Sequence, residues 1–468
     1  MEIFDTIAPV DNRYFDPECA EYLSDAAFLK YKIKVELALI KTLWKRRLCT
    51  KAVYQEIEKA CKQITPSEVA IEEERISHDV RAMVNCIKGK LSDKAKPYVH
   101  MFATSSDIVC TANALRFKEI TNNVLFPALC NLESTLIDIA EKFAATPQIG
   151  RTHRQHAVPI TFGFAIAQYV DRLGGLLEQL ICLTNLPGKF SGACGAYNAL
   201  SLSVDDPEEF EKELLLELGL HPARISTQIT PPEEMISLLS HLRTITGVMA
   251  NLARDIRGLQ QTEVAEVSES FGANQVGSST MPQKRNPISF ERVESLWKII
   301  FGRLETVYLD QISDFQRDLT NSASSRTYGE IFAYFVAMTN GLTKALANLS
   351  IDAEKMEYNL RIQGDLILAE PLYIILSSLG HPNAHEAIRV LAQEARDRKL
   401  PITMLIACNP DLEKYTDKMT EKQKGILKDP KHYTGVAKDK ALKVAKYWHD
   451  ALALFATYDL APMKDIAN

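Results

Sequence analysis

The sequence predicts an all-α protein organised around a bundle of five long helices. Three observations carry that expectation. Apolar residues recur at steps of three and four through the middle of the chain. No stretch there alternates with the two-residue period of a strand. The breaks between the periodic segments are rich in proline and glycine.

The first stripe is Leu125, Leu129, Leu132, Leu136 and Ile139, and the second is Ile166, Val170, Leu173, Leu177 and Leu180. Gly150-Arg151-Thr152-His153 precedes the second helix, with Pro159 at its start. Pro187-Gly188 ends it, and the glycine-rich stretch Ser191 to Gly195 follows. The third stripe is the longest: Leu242, Ile245, Met249, Leu252, Ile256 and Leu259. Pro231-Pro232-Glu233-Glu234 opens it, since proline suits a first helical turn and acidic residues complement the positive end of the helix dipole. A helix over 233–268 would be on the order of 50 Å long at 1.5 Å per residue. Few single domains need that length, so a homo-oligomer that extends the bundle is expected. The fourth segment, 289–311, carries Val293, Leu296, Ile300 and Leu304. The fifth, 326–362, carries Phe332, Phe335, Leu342, Leu346 and Leu349. Each stripe alone means a buried helix face; together they mean a bundle. The flanking parts, up to about residue 110 and from about 366, read as shorter helices.

The bulk composition excludes several classes of function. The chain has 468 residues, 46% apolar and 24% charged, with a net charge of −6. That balance suits a soluble globular protein and gives no reason to expect nucleic acid or an anionic membrane as partner. Nine scattered cysteines, with no CxxC pair, argue against a disulfide framework or a zinc site and for a reducing compartment. Met1 to Val10 has no basic region followed by an apolar run, and no stretch approaches the ~20 apolar residues of a membrane span. A cytoplasmic location is expected. No metal is expected: His381 and His385 have an i, i+4 spacing, but Pro382 lies between them and no third ligand is evident.

The segment Gly277-Ser278-Ser279-Thr280-Met281-Pro282-Gln283-Lys284-Arg285-Asn286-Pro287 lies between two strong helices. Glycine and consecutive serines let backbone N–H groups approach a ligand. Lys284 adds a compact positive charge, and Asn286 can donate and accept. Such a loop suits an anion that gains charge during reaction. A glycine-serine run alone would read as a solvated connection; the whole string does not.

That string resembles the GSSxMPxKxNP signature of the fumarase/aspartase superfamily at every fixed position. Gly150-Arg151-Thr152-His153 with Gln155 resembles a second family block, except that Arg154 replaces the usual glycine. Thr104-Ser105-Ser106-Asp107 resembles a third, in which Thr-Ser holds a substrate carboxylate. The resemblance implies three domains with a central five-helix bundle, placed here at 1–111, 112–364 and 365–468, and a homotetramer with shared active sites. It implies β-elimination of fumarate with no cofactor, with Ser278 as base and His153 as acid. Thr104, Ser105, Lys284 and Asn286 would stabilise the carboxylate on which charge develops.

Further segments resemble the branch of the superfamily that acts on succinyl-purine nucleotides. They are Arg13-Tyr14, His78-Asp79, Gln228 in Ser226-Thr227-Gln228-Ile229, and the stretch holding Arg317, Ser322 and Arg326. By that resemblance Arg13 and Tyr14 hold a phosphate, His78 binds phosphate or assists His153, and Asp79, Gln228, Arg317, Ser322 and Arg326 contact an anionic succinyl nucleotide. The expected reactions yield AMP from the adenine substrate and the imidazole carboxamide ribotide from its succinylated form. Gln283 is also common in argininosuccinate-cleaving relatives, which keeps a sibling lyase as an alternative, beside a catalytically silent homologue.

Overall fold

The computed structural model describes residues 6–455 apart from Ala273; Met1 to Asp5, part of the stretch read for a leader, lie outside the described residues. The N-terminal helices are α1 (Pro17–Leu23), α2 (Asp25–Lys45), α3 (Lys51–Cys61), α4 (Pro66–Ile76) and α5 (Asp79–Gly89). Most start on a short polar cap. Asp16, Ser24, Thr50 and Thr65 each accept backbone N–H bonds at their helix starts, which satisfies donors that have no partner within the helix.

The middle of the chain carries the five long helices. The first is composite: α6 (Ser105–Ile120) runs through a π-helical turn, Thr121–Leu125, into α7 (Phe126–Lys142). At the junction the Thr121 hydroxyl donates to the Phe117 carbonyl at 2.6 Å, where Pro127 lies at the start of α7. A hairpin follows, β1 (Pro147–Thr152) against β2 (Gln155–Thr161), then α8 (Phe162–Leu183). After α9 (Pro207–Leu216) come α10 (Glu233–Leu259), β3 (Val267–Ser268), α11 (Ile288–Leu309), α12 (Tyr328–Ala347), β4 (Ser350–Ile351) and α13 (Ala353–Arg361). The C-terminal helices are α14 (Ala369–Ser378), α15 (Ala384–Arg398), α16 (Ile402–Ala407), α17 (Pro410–Thr416), α18 (Glu421–Lys428) and α19 (Ala437–Phe455).

The all-α class and the long bundle stand as expected, with three local differences. The Gly150–His153 stretch and Pro159 belong to a hairpin rather than to a helix start. The third long helix ends at Leu259 rather than near 268. The fifth ends at Ala347, and Ser350-Ile351 pairs with Val267-Ser268 before α13 begins.

Helix directions follow from side-chain pairs. Arg257 and Arg254 of α10 meet Glu294 of α11, while Ser240 meets Tyr308, so the two are antiparallel. Arg303 of α11 reaches Glu330 of α12, which is antiparallel in turn. Tyr169 of α8 bonds Asp255 of α10, and Leu176 accepts from His241. The starts of α6, α10 and α12 therefore lie at one end of the bundle with the ends of α8 and α11. The starts of α8 and α11 lie at the other.

One continuous apolar core joins the N-terminal helices, the bundle and α19. A second core joins Ile149, in the chain segment after α7, to residues between Leu360 and Met419. The last described helix thus packs on the bundle. Trp448 fills a notch over Gly174, where an added Cβ would lie 2.3 Å from its ring, and its Nε1 donates to Asp171 at 3.0 Å. Between the ends, Glu133 of α7 is fully buried, and neither carboxylate oxygen has a hydrogen-bond partner. Burial, then the nearby Asp171 charge, push its carboxyl up to about 9. Among the described residues no helix is long and apolar enough to cross a membrane.

Candidate active site

The hairpin explains the Gly-Arg-Thr-His motif residue by residue. Gly150 sits where the strand register shifts, and a Cβ there would lie 2.7 Å from the Val158 carbonyl oxygen, so only glycine fits. Thr152 pairs with Gln155, which leaves His153 and Arg154 as a two-residue turn. Both have positive φ, 51° and 60°, the left-handed pair that a tight hairpin turn requires. His153 is thereby presented, exposed, at the tip of a ribbon. Arg154 occupies the position where glycine would be least strained.

The Arg151 guanidinium grips the buried carboxylate of Glu266 with both nitrogens, at 3.1 and 2.5 Å. His156, across the ribbon from Arg151, is held below the usual histidine range by burial and then by that guanidinium.

Ser278 stands at the same end of the bundle, in the connection from β3 to α11. Its Oγ accepts backbone N–H bonds from Thr280 (3.3 Å) and Met281 (3.1 Å). Asn286 donates to the Gly277 carbonyl at 3.0 Å. A Cβ on Gly277 would lie 2.1 Å from the Lys284 carbonyl oxygen, so the two arms of the loop touch backbone to backbone. Lys284 is exposed. Below the loop, Glu269 accepts from the N–H groups of Ser289 (2.7 Å) and Phe290 (3.1 Å), which caps α11 and closes the loop's neck.

The other end of the bundle holds a cleft with about 160 Å³ of open space. Ser106, Cys110 and Asn113 of α6, Thr230, Arg317, Asn321 and Ser325 are among its walls. Thr104 caps α6 and Ser105 opens it; the Thr104 N–H is held by Asp107 at 2.8 Å. Asp107 is fully buried, ion-paired with the fully buried Lys189, and also accepts from the N–H groups of Ser191 (3.1 Å) and Gly192 (3.2 Å). The glycine-rich stretch is thus tied to the start of α6. Gln228 joins the cleft segment by donating its N–H to the Gln316 carbonyl at 3.2 Å. Ser322 is half-buried in the turn after Leu319, and Arg326 is exposed in the 3₁₀ turn Ser324–Thr327.

Arg13 is exposed beside Tyr14, whose ring meets Tyr334 of α12 edge to face, centroids 5.8 Å apart. His78 caps α5, its Nδ1 accepting from the Arg81 N–H at 3.3 Å. Asp79 pairs with Lys32 at 2.9 Å; burial opposes ionisation of its carboxyl, but the ammonium outweighs this and holds it below the usual range.

One chain therefore gathers His153, Ser278, Lys284 and Asn286 at the hairpin end. Thr104, Ser105, Gln228, Arg317, Ser322 and Arg326 lie at the cleft end. The 27 residues of α10 set the ends about 40 Å apart at 1.5 Å per residue. Sequence reasoning did not single out Glu266, Glu269, Asp107 or Lys189. Asp107 alone had a local signal, as the third residue of a Thr-x-x-Asp helix start.

The bundle, the ribbon-borne histidine and the serine loop define a helical lyase of the fumarase/aspartase type. Residues 12–302 match the lyase family, and residues 313–427 match the adenylosuccinate lyase C-terminal family. The chain is 34% identical over 448 residues to an adenylosuccinate lyase of Pyrococcus horikoshii, covering 94% of this chain and 98% of that one. It is 32% identical over 458 residues to that of Archaeoglobus fulgidus, with 95% and 99% covered. Among solved structures, the 3-carboxy-cis,cis-muconate lactonizing enzyme of Pseudomonas putida superposes with a TM-score of 0.83 at 25% identity, over 95% of this chain and all of that one. The chain belongs to the adenylosuccinate lyase family.

Proposed function

We propose that this lyase releases fumarate from adenylosuccinate to give AMP, and from the succinylated imidazole carboxamide ribotide in the same way. The near full-length likeness to adenylosuccinate lyases carries the substrate class. Ser278 is the base: two backbone N–H groups aimed at its Oγ favour the alkoxide over the alcohol. His153 is the acid that protonates the departing nitrogen, since imidazole titrates near neutral pH. Lys284 and Asn286 offset the charge that develops on the carboxylate beside the carbanion.

At the cleft end Arg317 and Arg326 supply guanidinium forks for phosphate or carboxylate, with Ser322 and Gln228 as neutral partners. Thr104 and Ser105 add the positive end of α6. Arg13, Tyr14, His78 and Asp79 complete the nucleotide contacts. Groups about 40 Å apart in one chain cannot meet on one small substrate, so each site draws its acid-base pair and its anion-binding groups from different subunits of a homotetramer. The division at 111/112 and 364/365 belongs to the same reading; the separate apolar core that spans residues 360–419 supports its second boundary, while α19 packs back on the bundle. A cytoplasmic location is proposed with it.

The test is subunit mixing. His153→Ala chains, impaired in turnover, and Arg317→Met chains, impaired in binding, are refolded together and assayed by ultraviolet absorbance on both succinyl nucleotides at concentrations well below the wild-type KM, where each variant alone is nearly silent. Random assortment restores both wild-type groups in about a quarter of shared sites. Recovery of no activity in the mixture would show that each chain works alone.

A further inference from the structure

The motif containing His153 is anchored by a residue far from it in sequence. Glu266 is completely buried. Its carboxylate accepts from Gln148 Nε2 at 2.8 Å, Arg151 Nη1 at 3.1 Å, Arg151 Nη2 at 2.5 Å and Asn359 Nδ2 at 2.9 Å. Gln148 and Asn359 are also buried. The backbone of Glu266 is fixed as well. Its N–H donates to the Leu259 carbonyl at 2.9 Å, and its carbonyl accepts from the Asp352 N–H at 3.0 Å. A buried carboxylate with a bidentate guanidinium and two further donors has one orientation available.

The position of this group matters more than its strength. Arg151 lies on β1 two residues before His153, so the guanidinium fork pins the ribbon whose tip is the His153 turn. In the other direction, Glu266 lies three residues before Glu269, which closes the neck of the loop holding Ser278. One carboxylate thus ties the root of the histidine ribbon to the root of the serine loop. Neither Glu266 nor its partners point to a ligand.

We propose that Glu266 is a positioning residue that fixes the ribbon of His153 and the root of the Ser278 loop as one rigid unit. The proposal rests on His153 and Ser278 being the acid and the base. Glu266→Gln conserves shape but replaces one accepting oxygen with an N–H₂ among the N–H groups that Gln148, Arg151 and Asn359 aim at it, and it removes the counter-charge of Arg151.

In steady-state kinetics on the full-length oligomer, Glu266→Gln lowers kcat by about 10- to 100-fold and leaves KM within about threefold, because a misplaced group costs rate rather than affinity. The ring resonances of His153, followed by NMR in histidine-labelled protein, shift relative to wild type. Arg151→Met combined with Glu266→Gln falls little further than either single variant, because both remove the same link. Gln148→Leu, which leaves the charge pair intact, gives a smaller fall of the same kind and serves if Glu266→Gln does not assemble. A kcat that falls only with the folded fraction, with His153 resonances unmoved, overturns the proposal. His153→Ala separates the two levels. If that variant keeps its turnover, the acid assignment fails. If it loses turnover while Glu266→Gln does not, the positioning role alone fails.

Discussion

The two ends of the bundle present their polar groups by different means. At the cleft end, the starts of α6, α10 and α12 converge, and Thr104 and Ser105 are set on a helix terminus whose first turn is locked by Asp107 and Lys189. At the hairpin end, His153 and Ser278 are carried out on a ribbon tip and a loop, and the buried charge of Glu266 lies behind them. Helix starts offer N–H groups and a positive dipole in fixed places, which is what holding an anion needs. An acid and a base must instead reach one carbon and one nitrogen of the ligand, and excursions of backbone allow that. On the proposed reading the molecule separates holding from proton transfer, end from end.

The largest expected effect tests that separation directly. His153→Ala lowers kcat by about 10²- to 10⁴-fold with little change in KM, whereas Arg317→Met at the cleft end raises KM by about 10- to 100-fold, the loss of a charge-assisted bond. Kinetics with the two effects exchanged would break the comparison.

A smaller effect comes from between the ends. Glu133 is buried like Glu266 and Asp107 but has no donor, so it is held as the neutral acid. Its folded carboxyl titrates near 9, above the ordinary 4.5. The stability it allows is complete below about pH 4.5 and is lost as pH rises towards 9, because only the unfolded chain then ionises freely. Glu133→Leu therefore gains on wild type across that window, by on the order of a few kcal/mol at its upper end. Denaturant unfolding at several pH values checks this; a difference that stays flat with pH would contradict it.

The smallest effect concerns the ribbon tip. Arg154 holds φ at 60° where glycine is unstrained, so Arg154→Gly steadies the hairpin by about 1 kcal/mol, read as about fivefold slower amide exchange along β1 and β2. Faster exchange would mean that the arginine side chain itself holds the turn.

Much of the fold could be read from apolar spacing, because each bundle helix buries one face along most of its length. The misplaced boundaries have physical causes. The third stripe stops at Leu259, and the residues beyond it turn to bring Glu266 inward. The fifth continues to Leu349, but pairing of Ser350-Ile351 with Val267-Ser268 ends the helix first. The hairpin was hidden because its turn carries His153-Arg154 in place of the Asn-Gly or Asp-Gly pair that marks such turns. For the candidate site, residue types could be read from the motifs. Their division between two ends could not, since it depends on helix direction. Glu266 had no local signal: its guanidinium partner is 115 residues away in the chain.

The π turn at Thr121–Leu125 has a consequence for how this chain can vary. A turn of that kind takes in one more residue than a regular turn, and each residue of a helix advances it by about 100° around the axis. Removing a single residue there would make α6 and α7 one regular rod of almost the same length. It would leave Thr104, Ser105 and the cleft wall facing nearly as before relative to α7, because the wide turn carries its extra residue in about the rotation and rise of one residue fewer of regular helix. The wide turn thus lets the chain carry one extra residue while the cleft end keeps its alignment with the rest of the bundle, so a one-residue change of length is absorbed here, whereas within α6 or α7 it would turn every residue beyond it by about 100°.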